Sequence, residues 1–324
     1  MKAALRRAAR DALAAWPARA ALRAFALRGR PVTVLCYHTL GPDEGGPDAW
    51  TVLRTGDFRA HLAILREAYD IVDLDTALAA GPGQAGRPRA VLTFDDGETG
   101  LHRHLLPLLE TERVPATVYI ATRQIETGQP YWFDRLMGAL QGPRTVDLRQ
   151  ERLGVWTLPA APGASRWLVL SDLLEALKRA DPKRREELTD RILADHPQPP
   201  GRPPLGPMTR AELAELAACP WVTIGAHSHC HSLLDQIPPA EARESMAQSR
   251  ALLEGWTGRE VAHFAWPNGN HTAELRRIAA ELGFRSATAL GGLWRRGADP
   301  FALPRLAIGR YDDAARFRLR LSEV

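Results

Sequence analysis

Short apolar runs alternate with amphipathic segments along most of the chain after Pro31. Each run has the length and composition of a buried strand, and the segments between runs repeat with the period of a helix. The pattern predicts strands at Val32–Tyr37, Ile71–Leu74, Ala90–Phe94, Ala116–Ala121, Val222–Gly225, Val261–Trp266 and Ser286–Ala289. It predicts helices at Asp57–Ala68, Leu101–Glu112, Thr209–Ala217, Pro239–Glu254 and Thr272–Leu282. Strands that alternate with such helices form parallel β/α units, closed as a barrel or open.

The alternation stops between residues 122 and 207. Tyr131, Trp132 and Phe133 open this region, a polar helix-forming stretch at residues 168–194 follows, and a segment rich in Pro and Gly closes it. We therefore predict one domain over residues 31–324 that carries an insertion at residues 122–207. The insertion could cap a site or be a simple helical appendage.

The composition is that of an ordinary soluble globular protein. The chain has 324 residues, of which 45% are hydrophobic and 25% charged, enough for one large domain. The net charge of +4 comes without a nucleic-acid-binding motif, so no nucleic acid partner is expected. The three cysteines form no C-x-x-C pair, which indicates a reducing compartment.

Residues 1–30 are rich in Arg and Ala and contain a single acidic residue, Asp11. They predict a basic helix, which could pack on the domain or lie on an anionic membrane. The stretch lacks the apolar core of a signal peptide, and no run approaches the ~20 apolar residues of a membrane span. We therefore expect a cytoplasmic protein. The basic helix would also permit contact with the inner face of the membrane.

Two motifs carry the candidate chemistry. Asp95 and Asp96 directly follow one predicted strand, and His227 and His231 follow another with an H-x-x-x-H spacing. In a β/α barrel, the carboxyl ends of the strands form the site. One carboxylate with two imidazoles makes a divalent-metal site with open positions, and the second carboxylate is left to handle protons. The pattern predicts hydrolysis by a water that a metal ion activates.

These motifs resemble those of the polysaccharide deacetylase family, also called the NodB-homology or carbohydrate esterase 4 family. Residues Thr93–Gly97, which read T-F-D-D-G, resemble its first motif, and residues Gly225–His231 resemble its H-[ST]-x-x-H motif. Residues Phe264–Gly269 resemble its third motif, and Val34–His38 resemble its first strand. The resemblance implies a distorted (β/α)7 barrel, interrupted here by the insertion, and removal of acetyl groups from a sugar.

The resemblance also implies a role for each matching residue. Asp95 would be the general base, while Asp96, His227 and His231 would bind a divalent metal ion, usually Zn²⁺. The backbone N–H of Asn268 would stabilise the oxyanion, because fixed donors act where negative charge develops.

Two departures from the family pattern concern the remaining roles. Ala265 stands where an Arg usually orients the catalytic carboxylate, and the late His that serves as general acid has no clear counterpart. Arg305 could supply the missing positive charge. His271 or His229 could supply a proton to the leaving group.

The resemblance implies an N-acetylated glycan or lipid-linked glycan as substrate, with O-acetyl groups also open. Trp132 and Phe133 could stack on a sugar or form the core of the insertion. Two alternatives stay open: a metal-dependent hydrolase of non-sugar amides on the same barrel, and a non-catalytic glycan-binding relative.

Overall fold

The computed structural model of the protein describes residues 31–82, 86–197 and 205–322, together with Gly29. The basic helix predicted for residues 1–30 therefore lies, apart from Gly29, outside the described part. Within the described ranges, no helix combines the length and the apolar character needed to cross a membrane.

Twelve strands and eleven α-helices are found in the described ranges. The strands are β1 Val32–Tyr37, β2 Thr39–Gly41, β3 Val52–Arg54, β4 Asp70–Ile71, β5 Arg89–Phe94, β6 Ala116–Ile120, β7 Arg144–Asp147, β8 Val155–Leu158, β9 Val222–Ala226, β10 His263–Ala265, β11 Ser286–Thr288 and β12 Leu306–Ala307. The helices are α1 Thr55–Ala68, α2 Leu74–Ala80, α3 Leu106–Glu112, α4 Thr122–Thr127, α5 Trp132–Ala139, α6 Ala164–Lys178, α7 Pro182–Asp195, α8 Arg210–Ala218, α9 Pro239–Thr257, α10 Ala273–Glu281 and α11 Ala314–Arg320. A π-helical segment, Leu101–Leu105, leads into α3.

Seven parallel strands form a curled sheet in the order β11-β10-β9-β6-β5-β1-β12, and β4 pairs with β5 beside it. The two outer strands are linked through the segment that precedes β12. The Ala289 N–H donates to the Leu303 carbonyl at 2.8 Å, and the Gly291 N–H donates to the Arg305 carbonyl at 2.9 Å. The predicted α/β fold, a distorted barrel of seven strands, is confirmed.

The register of the central strands brings their carboxyl ends to one edge of the sheet. Tyr37 of β1 pairs with Phe94 of β5, which pairs with Val118 of β6. Ile120, at the end of β6, pairs with Ala226, the last residue of β9. The residues that follow these strands therefore meet at one edge, and both candidate motifs lie there.

One local prediction needs correction. The strand predicted at Ile71–Leu74 ends at Ile71, because the Asp73 side chain accepts a hydrogen bond from the Thr76 N–H and caps α2. The polar stretch predicted as helix-forming is helical; it contains two helices, since Asp181 caps a new helix that begins at Pro182.

Within residues 122–207, helices α5, α6 and α7 and the β7–β8 hairpin share a hydrophobic cluster separate from the main core. The sequence pattern did not predict the hairpin. Trp132, Leu136 and Leu173 are buried in this cluster, and Val52 of β3 joins it from the barrel. The region therefore has its own core and also packs on the barrel.

Gly100 gives a test of how tightly the loop after β5 packs against β2. A Cβ there would overlap the Leu40 carbonyl oxygen and the Thr39 Oγ1, whereas a Cβ on Gly255 of α9 meets nothing within 4 Å. We expect Gly100→Ala to lower the free energy of unfolding by about 1–3 kcal/mol, the usual cost of overpacking. Gly255→Ala should be neutral or stabilising, because Ala favours a helix. Urea denaturation measures both; equal stability of the two variants would contradict this packing.

Candidate active site

The Asp-Asp pair follows β5 in an unusual backbone conformation. Successive side chains of an extended strand point to opposite faces, which would separate the two carboxylates. Asp96 instead has φ 76° and Gly97 has φ 93°, so the chain turns sharply as it leaves the strand. As a result, Asp95 and Asp96 both line the same cavity.

Asp96, His227 and His231 form a three-residue cluster at this edge. The Asp96 Oδ1 lies 3.1 Å from the His231 Nε2 and 3.5 Å from the His227 Nε2. One ligand atom from each of the three lies within 4.8 Å of the others, and the described residues hold no second cluster of this kind. His231 has φ 54°, and its N–H donates to the Ser228 Oγ at 3.0 Å. A turn, and not a helix face, therefore brings the two histidines of the H-x-x-x-H motif together.

The donor set of this cluster fits a divalent cation. The Asp96 Oδ1 is buried and has no hydrogen-bond partner among the described residues. The His227 Nδ1 lies 2.8 Å from the Ala265 carbonyl, which can only accept, so Nδ1 donates there and Nε2 is the nitrogen that faces Asp96. Burial opposes the charge of Asp96, but His231 and His227 outweigh it and hold the pKa of that carboxyl well below its ordinary value. An ionised oxygen and two imidazoles are typical ligands of Zn²⁺.

Arg305 holds Asp95 through two parallel hydrogen bonds. The Arg305 Nη1 lies 2.7 Å from the Asp95 Oδ1, and the Nη2 lies 2.7 Å from the Oδ2. The guanidinium also donates to the Thr93 Oγ1 and the Ala289 carbonyl, and its residue is 1% exposed. Burial opposes ionisation of Asp95, but Arg305 and then His227 outweigh it, so the pKa of Asp95 lies below its ordinary value. The contact agrees with the hypothesis that Arg305 supplies the charge absent at Ala265.

The cluster opens into a cavity of about 200 Å³. On the barrel side it is lined by the motif residues and by His38, whose Nδ1 is buried without a hydrogen-bond partner among the described residues. On the other side it is lined by α5, α6 and α7. The lining residues from these three helices are Trp132, Phe133, Met137, Trp167, Ser171, Leu174, Glu175, Lys178 and Arg185. The insertion therefore forms one side of the cavity, and Trp132 both belongs to the core of the insertion and borders the cavity.

The other residues singled out in the sequence lie at different distances from this cavity. Asn268 and Gly269 line it. His271 and His229 are not among the described lining residues: the His271 Nδ1 lies 3.0 Å from the Gly269 carbonyl, and the His229 Nδ1 lies 2.9 Å from the Thr122 Oγ1.

Sequence reasoning missed the part of α6 that faces the cavity. Trp167, Ser171, Leu174 and Lys178 are spaced by three or four residues and so share one helix face. That periodicity was available in the sequence, but it could not say which neighbour the face would meet.

Comparison with known proteins assigns the fold and site to a class. A family model described as polysaccharide deacetylase matches residues 83–287, which include Asp95, Asp96, His227 and His231. The chain therefore belongs to the polysaccharide deacetylase family, whose members are hydrolases of non-peptide carbon–nitrogen bonds. Arg305 and His38 lie outside the matched residues. No curated protein matches the chain.

Solved structures share the fold at low sequence identity. IcaB from Ammonifex degensii is 16% identical with a TM-score of 0.59, over 91% of this chain and 98% of that one. The Streptococcus pyogenes deacetylase PplD, solved with acetate, is 14% identical with a TM-score of 0.55, over 90% and 98%. The BpsB deacetylase domain from Bordetella bronchiseptica is 18% identical with a TM-score of 0.50, over 86% and 96%.

The buried Arg305–Asp95 pair should be strongly coupled. Removing one partner of a buried ion pair leaves an uncompensated charge, so we expect Arg305→Met to lower the free energy of unfolding by about 3–5 kcal/mol. The double variant with Asp95→Asn should lose less than the sum of the single variants. The exposed pair Arg184–Glu187 is the control, and Arg184→Met should lose less than about 1 kcal/mol. Additive losses at Arg305 and Asp95, measured by urea denaturation, would argue against the coupling.

Proposed function

We propose that the protein is a metal-dependent deacetylase that removes N-acetyl groups from a glycan or a lipid-linked glycan. O-acetyl groups are a second substrate class for the same site. The observation that carries the proposal is the juxtaposition of two carboxylates with different partners. Asp96 lies with two imidazoles in a cluster suited to a cation, and Asp95 lies beside it on a buried guanidinium.

Asp96, His227 and His231 would hold the cation. A divalent cation bound there would polarise the acetyl carbonyl and lower the pKa of water toward about 7. Asp95 would accept the proton of the attacking water. Arg305 keeps Asp95 ionised, and its two hydrogen bonds fix the plane of the carboxylate. The backbone N–H of Asn268, at the cavity wall, would stabilise charge on the acetyl oxygen.

We propose His38 as the group that protonates the departing nitrogen. Its side chain lines the cavity with Asp95 and Asp96, and its Nδ1 is buried without a hydrogen-bond partner in the described part of the chain. Its ring packs against that of Trp50, with centroids 5.4 Å apart, which restrains its orientation. His229 and His271, the candidates from the sequence, are not among the described residues that line the cavity: the His229 Nδ1 lies on the Thr122 Oγ1, and the His271 Nδ1 lies on the Gly269 carbonyl.

We propose a cytoplasmic location for the protein. The basic character of residues 1–30 would permit contact with the inner face of the membrane. A lipid-linked substrate would be reached from such a position.

The proposed function is tested by acetate release from a panel of N-acetylated glycans and glycolipids. Chelation of divalent metal should abolish release, and added Zn²⁺ should restore it, because the cation activates water and carbonyl. Release that survives chelation would contradict the metal-dependent mechanism. Turnover of linear or cyclic amides without turnover of sugars would favour the non-sugar alternative. Glycan binding without any acetate would favour the non-catalytic relative.

The ligand assignment has a matched control in the same segment. Asp96→Asn, His227→Ala and His231→Ala should each lower the bound metal per chain, because each removes one of three ligands. His229→Ala should keep the metal, since the His229 Nδ1 lies on the Thr122 Oγ1. Elemental mass spectrometry of the purified variants measures both. Metal loss in His229→Ala equal to that in the other three would contradict the assignment.

Two substrates with different leaving groups can separate a role of His38 in proton transfer from a role in substrate binding. We expect His38→Gln to lower kcat on an N-acetyl sugar about 10²–10⁴-fold, as for loss of a general acid, with little change in KM. An activated ester such as 4-nitrophenyl acetate needs no protonation of its leaving group, so its turnover should fall much less. His271→Gln serves as control and should resemble the unmodified protein. An equal loss on both substrates would show that His38 has another role.

A further inference from the structure

Arg185 is a charged residue on the buried face of helix α7. The other buried residues of this helix follow it at spacings of three, four and seven positions; they are Leu188, Thr189 and Ile192. Arg185 is itself only 9% exposed. Arginine is rarely buried to this degree unless an anionic group pairs with its charge.

No such partner is found for Arg185 in the described part of the chain. Its guanidinium forms no ion pair there, and its buried Nε has no hydrogen-bond partner. Burial lowers the pKa of Arg185, and attraction to nearby acidic side chains, Glu186 foremost, offsets only part of this effect. Glu186 itself pairs with Arg135 at 3.0 Å. Because arginine keeps its proton at neutral pH, the guanidinium is a buried positive charge with unused donors.

Arg185 borders the active-site cavity, which two further basic side chains also line. Both of these already have partners in the protein. Arg305 binds Asp95, and the Lys178 Nζ donates to the Glu175 Oε1 at 2.7 Å and to the Asn268 Oδ1 at 3.0 Å. Of the arginines and lysines that line the described cavity, Arg185 is therefore the one whose charge lacks a protein partner.

Aromatic rings connect Arg185 with the metal cluster. The Arg185 Cζ lies over the Trp132 ring, 5.1 Å from its centroid. Trp132 packs edge-on against Phe133, with centroids 5.6 Å apart, and the Phe133 centroid lies 5.3 Å from that of His231. All four residues line the cavity. A sugar that packed its apolar face on these rings would lie between the metal cluster and Arg185.

We propose that Arg185 is an anion subsite of the active-site cavity, and that the acetylated sugar carries a phosphate or carboxylate group that binds to it. Both groups present paired oxygens that match the planar, forked donors of a guanidinium. Binding would compensate the buried charge and satisfy the donors that the protein leaves unused. The proposal rests on the deacetylase function proposed above and names its substrate class more narrowly.

Acetate release from matched substrates tests the subsite in the full chain with Zn²⁺. Neutral methyl N-acetylglucosaminide is compared with N-acetylglucosamine 1-phosphate, with the carboxylate N-acetylmuramic acid, and with N-acetylglucosamine linked to farnesyl diphosphate. We expect kcat/KM for an anionic substrate to exceed that for the neutral one about tenfold or more, chiefly through KM. The preferred substrate identifies the source of the anionic group. Equal turnover of the neutral and anionic substrates would overturn the subsite and leave the deacetylase function intact.

Arg185→Gln should remove this preference, because it deletes the charge and keeps a polar side chain. We expect kcat/KM for the preferred anionic substrate to fall about tenfold or more, with little change for the neutral one. Arg184→Gln is the matched control, since Arg184 is the neighbouring arginine, is exposed and pairs with Glu187. It should keep the preference. Equal losses on the neutral and anionic substrates in Arg185→Gln would contradict an anion subsite.

Binding of N-acetylglucosamine 1-phosphate, measured by calorimetry, separates the subsite from the catalytic proposal. Binding that Arg185→Gln abolishes, without acetate release from any substrate, would support the subsite and contradict the deacetylase function. Absence of both binding and release would overturn both proposals. A purely structural role of Arg185 predicts a lower urea midpoint for Arg185→Gln with unchanged binding, and that result would overturn the subsite.

Discussion

The buried ion pair between Arg305 and Asp95 is the interaction on which the site depends. Asp95 lies at the end of β5, and Arg305 immediately precedes β12, so the pair joins two distant parts of the chain. A carboxylate out of contact with water would take up a proton unless a positive charge compensated it. The guanidinium supplies that charge in a planar, two-bonded geometry that a lysine could not reproduce. The same contact thus completes the barrel and keeps Asp95 ionised beside the metal cluster.

The parallel register gives this pair its neighbours. Because β1, β5 and β9 end at the same edge, His38, the two aspartates and His227 arrive there from separate segments. The strands are buried on both faces, so their hydrophobic runs determine their register and the polar residues after them are forced to one end. Asp96 and His231 both have positive φ. This backbone conformation turns their side chains toward the cavity, whereas a continuing strand would direct them away from it. The candidate active site therefore forms at the edge of the sheet where these strands end.

The insertion forms part of the site at this edge of the barrel. Helix α6 lines the cavity together with the motif residues of the barrel. The helix belongs to a second hydrophobic cluster, which packs it against the rest of the insertion. Its contacts with Trp50 and Asn268 show that the insertion is part of the site and not a simple appendage.

The sequence by itself determined six of the seven strands of the curled sheet, their parallel arrangement and the two motifs, because apolar periodicity and strand-end chemistry are local properties. It also contained Arg305 as a candidate for the missing positive charge and His229 or His271 as candidate proton donors, but it could not place any of them relative to the Asp pair. Their positions depend on contacts between residues far apart in the chain, such as Arg305 with Asp95. The position of α6 along the cavity was likewise decided only in the tertiary structure. A helix face shows its periodicity in sequence, but the surface it packs against is set by the fold of the whole chain.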